Sequence, residues 1–224
     1  MSGDLRQIIE SLLFAYATLF PIVNPIGGAP VFLAMTADCT SELQATLAKR
    51  IAINAFFLMM ASVFIGTYVL DFFGLSVPVV QVAGGIVVCS AAWALLKADA
   101  DARNPTGPPP VGAEIATRAF YPLTLPLTVG PGTITVAITI GANHPMTVRA
   151  LVDHSLGQIA GVFLVAATIF VCYLYAERML RRLGTTGTSV LVRLSAFILF
   201  CIGVQIAWNG VAGLLASVGV IYGR

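Results

Sequence analysis

Charge is scarce in this sequence: aspartate, glutamate, lysine and arginine make up 10% of its 224 residues, against about 25% in soluble domains. Hydrophobic residues reach 58%, above the soluble norm of about 45–50%. That composition excludes a water-soluble globule, because too few polar side chains remain to clothe one. The net charge is only +2, and there is no basic run, aromatic-interleaved basic patch or zinc-finger spacing. Nucleic acid is therefore not an expected partner. Four cysteines and two histidines form no CxxC or Cys/His cluster, so Cys39, Cys89, Cys172 and Cys201 read as small lipid-compatible residues, and no metal or cofactor is expected. HExxH, a serine elbow, a phosphate loop and paired carboxylates inside an apolar run are all missing. Gly84-Gly85 lacks the strand-then-helix setting of a nucleotide motif. The chain is not expected to be an enzyme.

What the sequence does contain is apolar runs near the bilayer-crossing length of about 20 residues. The first covers 11–20 and continues through an interruption to Met35. A secretory signal is the competing reading of that start, but Asp4 and Glu10 spoil its basic lead and no small-x-small cleavage site follows promptly. A polar connection (36–50) leads to the second span (51–70), and a short turn to the third (79–96). Residues 97–118, with Pro108-Pro109-Pro110, form the one long loop and the natural joint between halves. The fourth span is 119–142. A polar turn, ANHPMTVRALVDH, places His144 and His154 in an outward loop before the fifth (155–176). A polar stretch, 177–187, precedes the sixth, which begins near Val190 or Leu194 and runs to Val218.

The first and fourth runs carry residues a helix interior tolerates poorly: LFPIVNPIGGAP from Leu19 and LPLTVGPG from Leu125. Proline has no N–H, so Pro21, Pro25 and Pro30 free the carbonyls of Ala17, Pro21 and Ile26, while Pro122, Pro126 and Pro131 free those of Arg118, Pro122 and Leu127. A half-helix opening at Pro25 makes Asn24 its N-cap and leaves the N–H groups of Ile26 and Gly27 pointing outward. Gly130-Pro131-Gly132-Thr133 reads the same way. Aligning Pro25 with Pro131 superposes the two stretches as copies. Non-helical backbone at membrane depth persists only inside protein or along a polar cavity. The plainer alternative is two kinked helices whose freed groups are satisfied by Ser/Thr side chains or water.

Three spans, a loop and three spans form one membrane domain, 1–224, with repeats at about 8–97 and 119–222 around a linker at 98–118. Because three is odd, a duplicated triplet inserts with opposite topology. The fold expected is all-α: a polytopic membrane protein of six transmembrane helices in two inverted three-helix repeats, interrupted in helices 1 and 4. Such repeats point to a secondary transporter with its site at the repeat interface. If the first span enters from side one, that side holds Arg6, Arg149 and Arg224, and the other holds the remaining nine lysines and arginines. The cationic side is cytoplasmic, so both termini are expected outside the cytoplasm, in the cell (inner) membrane.

NPIGGAP in the first helix, GPG in the fourth, the six-helix layout and GVQIAWNG near the C-terminus together resemble the MarC family of integral membrane proteins. The similarity covers essentially the whole chain. One departure is Ala196 in RLSAF, where members often carry glycine. The resemblance implies a membrane protein whose relatives are described as neutral amino acid transporters, with the two motifs forming the substrate region.

Exposed N–H groups at a half-helix start attract a carboxylate, and freed carbonyls accept from an ammonium, so a zwitterion fits the backbone without a charged side chain. The candidate substrate site is Asn24, Pro25, Ile26, Gly27, Gly28, Thr128, Gly130, Pro131, Gly132 and Thr133, joined by Gln205 and Asn209, which are four apart on one face. Asn54, Gln81 and Gln158 are expected to make ordinary interhelical hydrogen bonds. The partners are a small-molecule substrate, with coupling to a proton or sodium left open, and the bilayer. A drug or metabolite exporter, and a non-transporting protein acting through partners or lipids, are the alternative functions.

Overall fold

Without water to bond exposed backbone, an apolar chain in lipid satisfies its N–H and C=O groups within helices. A computed structural model describes residues 2–97, 113–142, 148–217 and 219, and every regular element among them is helical. They are α1 (Ser2–Val23), α2 (Pro25–Met35), α3 (Ser41–Phe72), α4 (Val77–Lys97), α5 (Ala113–Arg118), a wide-turned segment (Ala119–Thr128), α6 (Pro131–Ala142), α7 (Val148–Leu174) and α8 (Ala176–Ser217). Among the described residues five helices are long and apolar enough to cross a membrane, and a sixth span results if the pair Glu114–Thr128 and Pro131–Ala142, bent by 71°, counts as one. The expected linker at 98–118 lies outside the described residues up to 112, and His144 lies outside them too.

Four boundaries differ from expectation, the first being the end of the expected loop, where Ala113–Arg118 is helix. The polar connection at 36–50 is mostly helix, because Thr40 caps α3 by accepting from the Leu43 N–H at 3.3 Å. The stretch 177–187 belongs to α8, since polar side chains do not end a helix that water can reach; only Gly184, at φ 67 and ψ −178, interrupts it. His154 is part of α7 and half-buried, not in a solvated loop.

Glycines set how the helices approach, as expected where lipid tails remove any hydrophobic drive between them. On α7, a Cβ on Gly157 would stand 2.5 Å from the Ile8 carbonyl oxygen, and one on Gly161 would stand 2.8 Å from that of Leu12. The ascending order on both helices means that α1 and α7 run side by side in the same direction. Gly85 of α4 faces Gly203 and Ala207 of α8, and Gly210 faces Pro78 and Val82, so that pair is antiparallel. Thr135 of α6 lies over Gly84, and Ile138 over Gly66. The core runs through both chain breaks and includes Leu19, Phe32, Ile51, Met59, Leu123 and Ile169, all fully buried. Ala196 is fully buried as well, so the methyl in place of glycine is accommodated. Large apolar side chains such as Phe57, Phe72, Phe163 and Trp208 face outward, which suits a lipid solvent.

Asp38, between α2 and α3, is clamped by Arg118, whose Nη1 and Nη2 reach the two carboxylate oxygens at 2.6 and 2.7 Å while Nη2 also donates to the Met35 carbonyl. The side chains are 11% and 21% exposed. The Arg118 hydrogen bonds hold the Asp38 carboxyl below its ordinary range. The clamp joins the end of the first interrupted element to the start of the second. Arg118→Ala is expected to lower stability by about 1.5–3 kcal/mol, the size of a hydrogen-bonded charge. Because the folded pKa is the depressed one, this contribution is fully present above about pH 4 and vanishes as pH falls through the folded value. Thermal unfolding of both proteins in detergent across that range checks it; a gap that persists unchanged into strong acid counts against the assignment.

Candidate functional site

The two interruptions share a sequence logic but not a structure. At the first, Asn24 sits in the left-handed region (φ 47, ψ 55), which asparagine tolerates better than most residues. That turn folds its side chain over the helix it precedes. Oδ1 accepts from the Gly27 N–H at 3.2 Å, and its carbonyl accepts from the Gly28 N–H at 2.9 Å. The expectation that Gly27 presents a free N–H is therefore corrected: Asn24 occupies it. Gly27 also packs against Ser195, while Ile26 is 38% exposed and lines a groove beside Arg178 and Arg182.

At the second interruption the helix bends where Val129 and Gly130 leave it. Two threonine hydroxyls bond carbonyls of this segment: Thr124 Oγ1 donates to the Ala119 carbonyl and Thr128 Oγ1 to that of Leu123, both at 2.7 Å. Neither acceptor is one of the carbonyls expected to be freed by proline, those of Arg118, Pro122 and Leu127. Past the bend, Ile134 N–H returns to the Gly130 carbonyl at 3.1 Å. The N–H groups of Gly132 and Thr133 meet no acceptor among the described residues. Gly130 stands where Asn24 stands in the first break, and it has no side chain with which to cap them.

Tyr173 joins the two breaks. Its hydroxyl lies 3.0 Å from Thr128 Oγ1 and 2.9 Å from where a Cβ on Gly28 would be, and its ring stacks on Phe32 with centroids 4.7 Å apart. Sequence reasoning missed it. A tyrosine at the end of an apolar run, in YLYAER, reads as an interfacial anchor, and nothing local announces a partner 45 residues away.

Two cavities lie along α4 and α8. One, of about 320 Å³, is bordered by Ala17, Pro21, Gln81, Thr139, Gln205 and Asn209. The other, of about 310 Å³, is bordered by Val88, Thr128, Gly130, Gly132, Thr133 and Leu199. Ile22 lines both, and neither has an ionisable lining residue. Gln205 Nε2 donates to Asn209 Oδ1 at 2.8 Å, and Gln81 Nε2 to Thr139 Oγ1 at 3.2 Å. The candidate residues thus divide three ways. Thr128, Gly130, Pro131, Gly132 and Thr133 share the second cavity, Gln205 and Asn209 belong to the first, and Asn24, Pro25, Ile26, Gly27 and Gly28 line neither. The proline-freed carbonyls of Ala17 and Pro21 belong to residues bordering the first cavity.

A steric probe at Gly132 does not test the site, since a Cβ there would overlap the Val88 side chain. Any larger residue acts first on α4–α6 packing.

Comparison with known proteins agrees with this architecture. The chain is 28% identical to a UPF0056 membrane protein of Methanocaldococcus jannaschii, over 92% of this chain and 98% of that one. It is 28% identical to the UPF0056 membrane protein YvbG of Bacillus subtilis, over 93% and 97%. It is 27% identical to the UPF0056 inner membrane protein MarC of Escherichia coli, over 94% and 98%. No solved structure matches. The family described as MarC family integral membrane protein matches residues 9–215, so the chain belongs to the MarC family.

Proposed function

We propose that this protein is a secondary transporter of small solutes, with neutral zwitterionic amino acids as its substrate class, working by alternating access between two inverted three-helix repeats. One observation carries the reading: two uncharged cavities, each lined by residues of α4 and α8, share Ile22 in their walls. One is bordered by residues whose carbonyls proline frees, the other by N–H donors at a helix start. Such a helix start suits a carboxylate, and carbonyls suit an ammonium. A net ionic solute is disfavoured, because each cavity lacks a countercharge. Inner-membrane placement follows the relative that carries that description, and the lysine and arginine distribution supports termini outside the cytoplasm.

The test is counterflow in proteoliposomes. Radiolabelled alanine is expected to accumulate against internal unlabelled alanine and to be displaced by serine or glycine but not by glutamate or lysine. Equal accumulation in protein-free liposomes, or displacement by glutamate as effective as by serine, sinks the reading.

A further inference from the structure

We propose that His154 is a proton-binding site linked, through Gln158, to the C-terminal end of α6. The geometry is a chain of three contacts. Ser11 Oγ lies 2.8 Å from His154 Nδ1, His154 Nε2 lies 3.0 Å from Gln158 Nε2, and Gln158 Nε2 donates to the Ile140 carbonyl at 3.1 Å. Gln158 is 1% exposed, so its amide cannot turn to water instead. Since α6 ends at Ala142, the Ile140 carbonyl belongs to the last turn, whose acceptors have no donor in their own helix. Gln158 is the cap that supplies one.

The donor count fixes the resting state. A carboxamide nitrogen has two hydrogens; one serves the Ile140 carbonyl and the other points at His154 Nε2, which must therefore offer a lone pair. The proton of a neutral ring then sits on Nδ1 and is donated to Ser11 Oγ. These assignments come from the partners, as amide and tautomer assignments must. When a proton from water binds Nε2, that atom becomes a donor facing a donor. Rotation of the Gln158 amide by half a turn restores a bond, with Oε1 accepting from Nε2–H. The same rotation brings Oε1 against the Ile140 carbonyl and removes the cap.

Ionisable groups on the surrounding elements, among the described residues, are few. Glu10 on α1 is exposed and ion-paired with Arg6 at 2.7 Å. Asp153 adjoins His154 on α7, which also carries Arg149, Asp71 lies near the end of α3, and α6 carries none. The switch is thus an imidazole, the side chain that titrates in the physiological range, wired to the helix that begins at Pro131 and whose Thr139 and Ile140 border the first cavity. Its consequence for flux rests on the transporter reading above: proton binding loosens α6, so that solute movement draws on a proton gradient.

The experiment has two arms. In the first, protein with ¹⁵N-labelled histidine and glutamine is followed by NMR between about pH 8 and about pH 5, the interval in which imidazoles charge. A His144→Asn variant isolates the His154 ring. At the alkaline end His154 is expected to carry its proton on Nδ1, and the Gln158 side-chain amide signals are expected to move with the same midpoint as the ring. A ring protonated on Nε2, or a Gln158 amide that does not follow it, overturns the proposal. In the second arm, Gln158→Met is expected to cut the ratio of gradient-driven to counterflow alanine uptake by about tenfold, within the ordinary range of coupling between sites. A ratio equal to wild type overturns the link to flux. If Gln158 follows His154 while no protein carries alanine, the proton site stands and the transporter reading fails.

Discussion

Gly130→Asn is expected to leave the protein folded with stability close to wild type, and to reduce amino acid uptake at least tenfold. The first interruption supplies the reason. Asn24 closes the start of α2 with its own side chain, whereas Gly130, in the matching position, leaves the Gly132 and Thr133 N–H groups to whatever occupies the second cavity. An asparagine there would accept from them as Asn24 does from Gly27. Asparagine is better than glycine at this position by a few tenths of a kcal/mol. The new Cβ would stand 3.2 Å from the Pro126 carbonyl oxygen, a tight contact with backbone that must give by a few tenths of an ångström and that offsets the gain from the cap. A carboxylate displaced from the same donors loses hydrogen bonds of the charged kind, worth about 1.5–3 kcal/mol, which is at least tenfold in affinity. Uptake is thus expected to fall far more than stability does, a split that generalised damage does not produce. Asn24→Gly is the reciprocal control: stability should fall by a few tenths of a kcal/mol with uptake nearly intact. Wild-type counterflow by a well-folded Gly130→Asn protein would remove the carboxylate from this helix start.

The breaks were legible because proline's missing N–H is a local fact: Pro25 and Pro131 each open a helix after a residue outside helical geometry. Treating Asn24 and Gly130 as equivalent copies was where pattern misled. Alignment registers position, but the two ends differ in whether a side chain is available to cap, and that difference decides which end can bind. Gln205 and Asn209 were placed correctly on one face, yet their separation from Gly132 depends on how α8 passes α4, which no single helix encodes. Ile22 was invisible for the same reason: being shared by two cavities is a property of packing. His154 was misread because the polar residues around it resemble a loop, while a helix that has left the apolar zone continues as long as water or neighbours satisfy its side chains. Thr124 and Thr128 show the limit of backbone accounting from sequence. Proline's missing N–H named the carbonyls of Arg118, Pro122 and Leu127, but in the wide-turned segment the threonine hydroxyls bond other carbonyls, five residues before each threonine.

The largest loss of stability is expected from Gly85→Val, at the contact on which both cavities depend. Helix association in lipid relies on close packing, and α4 and α8 achieve it backbone to backbone. A Cβ at Gly85 would lie 2.5 Å from the Ala207 nitrogen, 2.6 Å from the Gly203 carbonyl oxygen and 2.8 Å from the Ala207 Cα. These atoms belong to a helix and have no alternative rotamer, so relief requires the helices to separate along the whole contact, which also includes Gly210 against Pro78 and Val82. Overpacking typically costs about 1–3 kcal/mol and more where neither side yields, so a loss of about 3 kcal/mol or more is expected. Two glycines with fewer or no backbone neighbours calibrate it. Gly213→Ala meets only the Pro78 ring carbons, at 3.0 and 3.2 Å, and should cost less. Gly74→Ala meets nothing within 4 Å but sits at φ +67, so its cost is backbone strain of about 1–2 kcal/mol. Because α4 and α8 contribute to the walls of both cavities, a Gly85→Val protein that still inserts should also leak solute down its gradient without counterflow. Unfolding of the three variants in one detergent gives the order directly. If Gly85→Val unfolds with Gly74→Ala or later, the α4–α8 interface is not the close contact described, and the cavities on either side of Ile22 lose their shared wall.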